Sequence, residues 1–409
     1  MKFLMSGLLL AGGGLAGGLL AAPQVTEAPS KDTAQEAPAK AGLAGARQAV
    51  PATLGPDAAA EALDRAYGYL IESQNPDGSW GGSSTEGVLE LGFSVETYYA
   101  WQFSAHALAV MAMADAEETP ALRESLERAI AWLTTARVPQ RGSDWDVDGV
   151  WSALYGFAAC TQLASDWRFV TTESAAEAID ERGRALWEVL ARNEAPTGGW
   201  AYYDNPPFTR RPKWATSFCT GLLLPSLKTG RELGWIPDER AQDRATAALL
   251  RCALPNGAYT YTASNPIPRV PMGESINDVR GSLGRIQVCN WALAEVGEPT
   301  ITEERMVQGL ESFFEHHKYL DVARMRPIPH EAYYANAGYF YLFAHMYAGL
   351  VIELLPEEDQ EAFHARLRPH LVKIQRADGS MVDFLGTQYT VTAGTAMGAI
   401  ALRAGLPRE

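Results

Sequence analysis

A short turn motif, rich in glycine and ending at an aromatic residue, recurs along the chain at intervals of about 60 residues. The clearest copies lie at residues 75–80 (NPDGSW), 142–145 (GSDW), 197–200 (TGGW), 256–259 (NGAY) and 377–380 (ADGS), the last without the aromatic residue. A degenerate copy without the glycine turn fits around residues 318–326. Such self-similarity predicts repeated supersecondary units that bury their apolar faces against their neighbours.

Two helical stretches of different character flank each turn. The stretch before the second turn is amphipathic, with Leu122, Leu126 and Ala129 on one side and charged residues on the other, which indicates an exposed outer helix. The stretch after a turn is apolar nearly all round, as in FSAHALAVMAM from Phe103, which is typical of a buried helix. Six such pairs predict two concentric rings of helices and almost no sheet. We place the outer helices near 57–74, 119–137, 173–193, 237–253, 301–317 and 357–375, and the inner helices near 95–114, 150–165, 213–229, 278–296, 331–354 and 387–404.

Composition limits the class of protein. The 409 residues are 47% apolar and 20% charged, which is enough to bury a large core and excludes a disordered chain or a disulfide-held miniprotein. The formal net charge is −15, so we expect no nucleic-acid partner and no charge-driven contact with anionic membranes.

The N-terminal segment differs from the rest. Residues 1–22 combine Lys2, an apolar glycine-rich stretch and small residues at its end, which predicts a signal peptide and a secreted or periplasmic protein. An uncleaved anchor is the alternative, and it would be the chain's sole membrane contact. Residues 23–56 are rich in alanine and proline and predict a disordered linker, which leaves 57–409 for the helical domain.

The first turn carries a resemblance to a known family. Residues 72–82 (ESQNPDGSWGG) match the Q-x-x-D/N-G-S/G-W-G turn of the prenyltransferase/squalene-hopene cyclase repeat family, and residues 375–381 (QRADGSM) match it more weakly. The chain resembles this terpenoid cyclase-like family over roughly residues 57–406. Its members fold as (α/α)6 toroids of six helical hairpins, so the resemblance implies an all-α toroid. It also implies a central cavity for an apolar, isoprenoid-type small molecule.

The resemblance also implies a catalytic acid. Class II terpene cyclases protonate an alkene with a D-x-D-D motif, and the nearest match here is Asp146-Val147-Asp148-Gly149, with glycine in place of the third acid. Asp146 and Asp148 are therefore our acid candidates, with a turn that caps the following helix as the alternative. The Asp-x-Cys zinc ligands of protein prenyltransferases do not occur. We expect no cofactor and no metal.

The loops that enter the inner helices surround one mouth of a toroid, where functional side chains concentrate. There we expect two further catalytic candidates, His330 and Glu331. Aromatic and acid–base groups at such a mouth suit an apolar chain or a glycan. The cavity-lining candidates are Glu96, Tyr98, Trp101, Trp151, Arg210, Trp214, Glu274, Asp278 and Tyr333.

Two other functions stay open at this stage. A polysaccharide lyase or glycosidase on the same kind of toroid would pair Asp146 with Glu274 or Glu331, and the separation of the two carboxyls would report the mechanism. A scaffold without catalytic activity would bind a protein or glycan partner through its acidic loops. Whether the chain is an enzyme is therefore undecided by its sequence.

One position of the inner helices carries cysteine or histidine in five of the six repeats. These residues are His106, Cys160, Cys219, Cys289 and His345, with Gly394 in the sixth repeat. Thiolates and imidazoles suit zinc or copper. Small or flat side chains are equally wanted where helices approach closely, and free cysteine is among the most buried residue types. We adopt the packing interpretation.

Overall fold

The computed structural model describes residues 52–82, 94–140, 148–202, 212–263, 276–326, 329–384 and 389–407, apart from the side chain of Tyr389. Every regular element within these ranges is helical, beside two isolated β-bridges. None of the helices in the described part of the chain is long and apolar enough to cross a membrane. The α-helices there are α1 (Pro56–Glu72), α2 (Val95–Ala114), α3 (Pro120–Thr135), α4 (Val150–Ser165), α5 (Glu173–Asn193), α6 (Ser217–Glu232), α7 (Ala241–Cys252), α8 (Leu283–Glu295), α9 (Glu303–Glu315), α10 (Lys318–Arg324), α11 (Phe340–Ile352), α12 (Glu357–Val372) and α13 (Tyr389–Ala404).

Six helices form a closed inner ring. Helices α2, α4, α6, α8, α11 and α13 each pack against the next, and α13 packs back against α2. They are buried on nearly all sides, as their uniform apolar character predicts. Helices α1, α3, α5, α7, α9 and α12 lie outside them and bury one face each, for example Leu122, Leu126, Ala129 and Leu133 of α3. The predicted all-α (α/α)6 toroid is confirmed.

The repeated turn joins neighbouring outer helices where it occurs. Trp80 is fully buried, and its Nε1 donates a hydrogen bond to the Leu70 carbonyl at 2.7 Å; Trp200 makes the same bond to the Leu190 carbonyl. Gly78 has φ +88°, and a Cβ there would collide with the Arg128 carbonyl of the next outer helix. Only glycine satisfies both conditions.

The sixth turn repeats this arrangement and closes the outer ring. Gln74 in the first turn donates to the Ser125 carbonyl of α3 at 2.8 Å, and Gln375 in the sixth donates to the Ala62 carbonyl of α1 at 2.7 Å. Gly379 has φ +86° and lies against Arg65 of α1. The last turn of the chain therefore holds the first helix.

The fifth repeat departs from the predicted pattern. Its inner helix α11 begins at Phe340 rather than near residue 331, because His330, Tyr334 and Ala335 have positive φ values that an α-helix cannot continue through. Helix α10 occupies the place of the degenerate turn around residues 318–326. This repeat consequently has no glycine–aromatic turn between its outer and inner helices.

Candidate functional site

Aromatic side chains from helices that are not ring neighbours meet at the axis of the toroid. Phe218 of α6 contacts Phe340 of α11 with ring centroids 5.3 Å apart, and α8 stands between these two helices in the ring. The contact therefore crosses the interior. We call the surrounding set the aromatic chamber; it consists of Trp151, Tyr155, Tyr202, Phe218, Tyr261, Phe340 and Phe343.

The aromatic rings of the chamber pack in two ways, by parallel stacking and by edge-to-face contact. Trp151 stacks nearly parallel on Tyr155 and Tyr202, with interplanar angles of 11° and 14°. Phe218 meets Phe340 and Tyr261 edge to face. Trp151, Tyr202 and Tyr261 keep part of their surface accessible, whereas Phe218 is 1% exposed. Accessible aromatic surface at the ring axis is what side chains lining an apolar ligand site show.

Asp148 brings a carboxyl group to this chamber. It lies just before α4 in the left-handed region, with φ +59°, and Trp101 Nε1 donates a hydrogen bond to its Oδ2 at 3.2 Å. The residue keeps partial solvent access but lies deep in the protein, and this burial raises the pKa of Asp148 to about 7, against the opposing effect of the Trp101 bond. Burial is the main cause that raises the pKa values of Tyr202 and Tyr261, and the nearby Asp148 carboxylate adds to it. Asp148 is thus a carboxyl group that holds a proton near neutral pH and faces the chamber.

His330 forms a defined pair with Tyr339 at the chamber wall. Its Nδ1 lies 2.6 Å from the Ala335 carbonyl, which can only accept, so Nδ1 carries the proton. The Tyr339 hydroxyl therefore donates to Nε2, at 2.7 Å. Burial lowers the pKa of His330 and raises that of Tyr339, so both are neutral. The His330 ring also contacts Tyr261 and Phe340.

Three further sequence candidates adjoin these groups. Trp101 holds Asp148 and contacts Tyr98, with ring centroids 5.9 Å apart. Trp214 meets Tyr202 edge to face at 5.4 Å. Together with Trp151 and His330, these residues form the part of the predicted site that the structure brings together.

The remaining candidates lie elsewhere. Glu96 forms an ion pair with Arg137, at 2.6 Å, and Asp278 pairs with its neighbour Arg280, at 2.8 Å. Glu331 is exposed and Tyr333 is 61% exposed, since the residues that follow turn away before α11 begins. The structure does not bring these four to the chamber. Asp146, Arg210 and Glu274 lie outside the described residues.

Sequence reasoning missed a second buried acid, Asp383. Burial raises the pKa of Asp383 to about 7, although backbone N–H groups of Phe384 and Leu342 and the charge of Arg324 oppose the shift. Its Oδ1 has no hydrogen-bond partner. Burial is the main cause that raises the pKa of Tyr155 in the chamber, and the charge of Asp383 is a smaller one. An alignment of the repeats could have pointed to this residue. Asp383 lies two residues beyond Met381, as Tyr202 lies two residues beyond the anchor Trp200.

We expect Asp383→Asn to remove one contribution to the pH dependence of stability, the one that decreases as pH rises. The native carboxyl holds its proton up to about pH 7 whereas the unfolded one loses it near 3.8, so its contribution to stability falls as pH rises between these values, by at most about 1.4 kcal/mol per pH unit. Asparagine has no proton to lose. The buried histidines, whose pKa values are lowered, contribute a slope of opposite sign over much of this range, so the stability of the variant should rise more steeply with pH than that of the wild type, by up to about 1.4 kcal/mol per pH unit.

Urea unfolding at a series of pH values measures this effect. The matched control is Asp243→Asn, at an exposed position of α7, which should keep the wild-type slope. An unchanged slope in Asp383→Asn would show that the native carboxyl is ionised throughout this range.

Two clefts of about 290 and 590 Å³ lie away from the chamber. The smaller one is between the end of α2, α3 and the exposed Trp167, and the larger one borders the first turn at Asn75 and Trp132. Neither cleft is lined by Asp148, His330 or Asp383. We centre the candidate site on the chamber because Asp148 and the His330–Tyr339 pair adjoin it.

Comparison with known proteins identifies solved structures that have the same fold. The chain matches no protein-family model and no curated protein. Among solved structures it is similar to a variant of the type II terpene cyclase MstE from Scytonema, with 14% identity over 86% of this chain and 98% of that one, at a TM-score of 0.50. It is also similar to the cellobiose 2-epimerase of Spirochaeta thermophila, with 14% identity, 85% and 96% coverage and a TM-score of 0.53. The chain thus has the α/α toroid fold, which it shares with a terpene cyclase and a sugar epimerase.

Proposed function

We propose that the chain binds an apolar, isoprenoid-type small molecule in the aromatic chamber and that Asp148 donates a proton to it. One observation carries the proposal: aromatic rings from α4, α6 and α11 surround a carboxyl group that holds its proton near neutral pH. Because residues 1–22 predict export, we place this activity in a secreted or periplasmic protein.

The chamber favours an apolar ligand over a polar one. Its lining is aromatic, and Asp148, His330 and Tyr339 beside it are in or near their neutral forms. By contrast, the buried Arg285 over the Tyr261 ring stays charged because its pKa is lowered only to about 10. Apolar surface buried there stabilises the complex by about 25 cal/mol per Å². A sugar would need a hydrogen-bond partner for each of its buried hydroxyls, and each unmet partner would cost affinity.

The pKa of Asp148 indicates which kind of group in the ligand it protonates. Alkene protonation, as in the class II cyclases, needs a strongly activated acid, and Gly149 stands where their motif has its third carboxyl group. An acid whose pKa is about 7 is instead suited to general acid catalysis near neutral pH. We therefore propose that Asp148 protonates an oxygen atom of the ligand, such as a hydroxyl or carbonyl oxygen, and that Trp101 holds the carboxyl in place.

A glycan is the second candidate ligand. The parallel stack of Trp151 with Tyr155 and Tyr202 offers a flat aromatic surface of the kind on which pyranose rings stack. The sequence predicted a carboxylate pair of Asp146 with Glu274 or Glu331 for this function; Asp146 and Glu274 lie outside the described residues, and Glu331 is exposed.

Extraction of the purified protein distinguishes these ligands. The full chain, purified without detergent from the medium or periplasm, is extracted with organic solvent and with hot water, and both fractions are analysed by mass spectrometry. We expect an isoprenoid in the organic fraction at close to one equivalent, and its loss in Phe218→Ala, which opens the chamber wall. A stoichiometric oligosaccharide in the water fraction would contradict the proposal.

A further inference from the structure

Three histidines converge between the inner and outer layers where the fifth repeat meets the sixth. His317 lies between α9 and α10, His345 lies in the inner helix α11, and His370 lies near the end of α12. One ring nitrogen from each falls within 4.8 Å of the other two. His345 is fully buried and His317 is 3% exposed, while His370 is half-buried. No other histidine, cysteine or carboxylate group in the described ranges joins this cluster.

The hydrogen bonds of His317 and His345 leave two lone pairs facing each other. His345 Nδ1 lies 2.6 Å from the Tyr341 carbonyl and His317 Nδ1 lies 3.1 Å from Asp321 Oδ2, so each Nδ1 carries a proton and donates it. A neutral imidazole has one such proton. Both Nε2 atoms are therefore bare, yet they lie only 2.9 Å apart. Two lone pairs at this distance repel each other unless a metal ion or a shared proton lies between them.

His370 adds a third nitrogen without a partner. Its Nδ1 is buried and makes no hydrogen bond, and its ring lies 3.6 Å from that of His317. Burial is the main cause that lowers the pKa values of all three histidines, which keeps them in the neutral form that binds metals. Nitrogens bound to a tetrahedral zinc ion at 2.0–2.1 Å are roughly 3.3 Å apart. The Nε2 atoms of His317 and His345 are 2.9 Å apart, and one ring nitrogen of each of the three histidines lies within 4.8 Å of the other two.

The partners of the imidazoles are those of a metal site. Metal-bound histidines commonly donate their other N–H to a carboxylate or a backbone carbonyl, as His317 does to Asp321 and His345 does to Tyr341. Asp321 is itself fixed by Lys373, whose Nζ donates to Oδ1 at 2.9 Å. The ligands and their supports are therefore both in place.

The fifth repeat also lacks the turn that fastens the others. In the first repeat, His106 packs against the anchor Trp80 with ring centroids 5.3 Å apart. His345 holds the equivalent position of the fifth repeat, but α10 replaces the anchor turn there, and His345 faces His317 instead. A metal ion would join α11 to the outer helices where no tryptophan does so.

We propose that His317, His345 and His370 bind one Zn²⁺ ion, with a water in the fourth position, and that this ion fastens the inner helix of the fifth repeat to the outer layer. Imidazole nitrogens suit Zn²⁺, and three of them leave a tetrahedral position open. The proposal departs from our expectation of no metal. It is independent of the function proposed for the chamber.

The test uses the full chain without a histidine tag, treated with chelator and then titrated with ZnCl₂ by calorimetry. We expect one ion per chain, a rise in melting temperature with zinc concentration, and affinity about 10- to 100-fold weaker in Asp321→Asn, which removes a supporting carboxylate. His370→Gln should weaken binding at least as much. His364→Gln is the matched control, since His364 lies on the same helix but bonds to Glu353.

Co²⁺ gives a second signal from the same variants, because a tetrahedral cobalt site absorbs visible light and an octahedral aqueous ion absorbs weakly. Folded wild-type protein that binds neither ion would overturn the proposal and show that His317 and His345 share a proton. Equal weakening in His364→Gln and His370→Gln would overturn it as well.

Discussion

Asp148→Asn is expected to lower the turnover of the chamber ligand by about 10²- to 10⁴-fold, the usual contribution of a positioned general acid. Asparagine has the same shape, and its side-chain oxygen can still accept the hydrogen bond from Trp101. The proton donor alone is lost, so the affinity for the ligand should stay close to that of the wild type. Steady-state kinetics with the extracted ligand, together with its dissociation constant, separate the two effects.

The dependence of kcat on pH gives a second test of this prediction. Because the pKa of Asp148 is about 7, the fraction able to donate a proton decreases above that pH, and kcat of the wild type should decrease with it. The control Asp243→Asn changes an exposed carboxylate and should leave kcat unaltered. Full activity in Asp148→Asn would remove Asp148 from the chemistry and favour a binding role for the chamber.

Trp80→Ala should cause the largest loss of stability, about 3–5 kcal/mol in the free energy of unfolding. The side chain is fully buried between α1 and α2, and the variant would lose both its packing and the bond from Nε1 to the Leu70 carbonyl. Chemical denaturation followed by circular dichroism measures the change.

Trp167→Ala is the matched control, because Trp167 is 77% exposed and its removal should change stability by no more than about 0.5 kcal/mol. Similar losses in the two variants would contradict the structural role that we assign to the repeated turn.

The ring of helices could be predicted from the sequence because the turn that joins the helices is repeated along the chain. The turn residues recur with the same physical task, so Trp80 and Trp200 make the same bond and Gly78 and Gly379 take the same backbone conformation. The fifth repeat could not be predicted in detail, since its course depends on positive φ values at three non-glycine residues.

The site was predictable only in part. Asp148 was found through a motif, and its raised pKa depends on burial that a single sequence does not show. Asp383 needed an alignment of the sixth repeat with the third. The histidine cluster joins residues from an outer helix end, an inner helix and another outer helix, and only His345 had been placed at a repeat position.

The most direct test of the central claim is a binding titration followed through the fluorescence of the chamber tryptophan. Trp151 stacks in the chamber, so a ligand that enters it should quench the emission that Trp151→Phe removes. We expect saturable quenching by geranylgeraniol and none by cellobiose. Quenching by cellobiose alone would contradict an apolar chamber and favour a sugar-binding toroid.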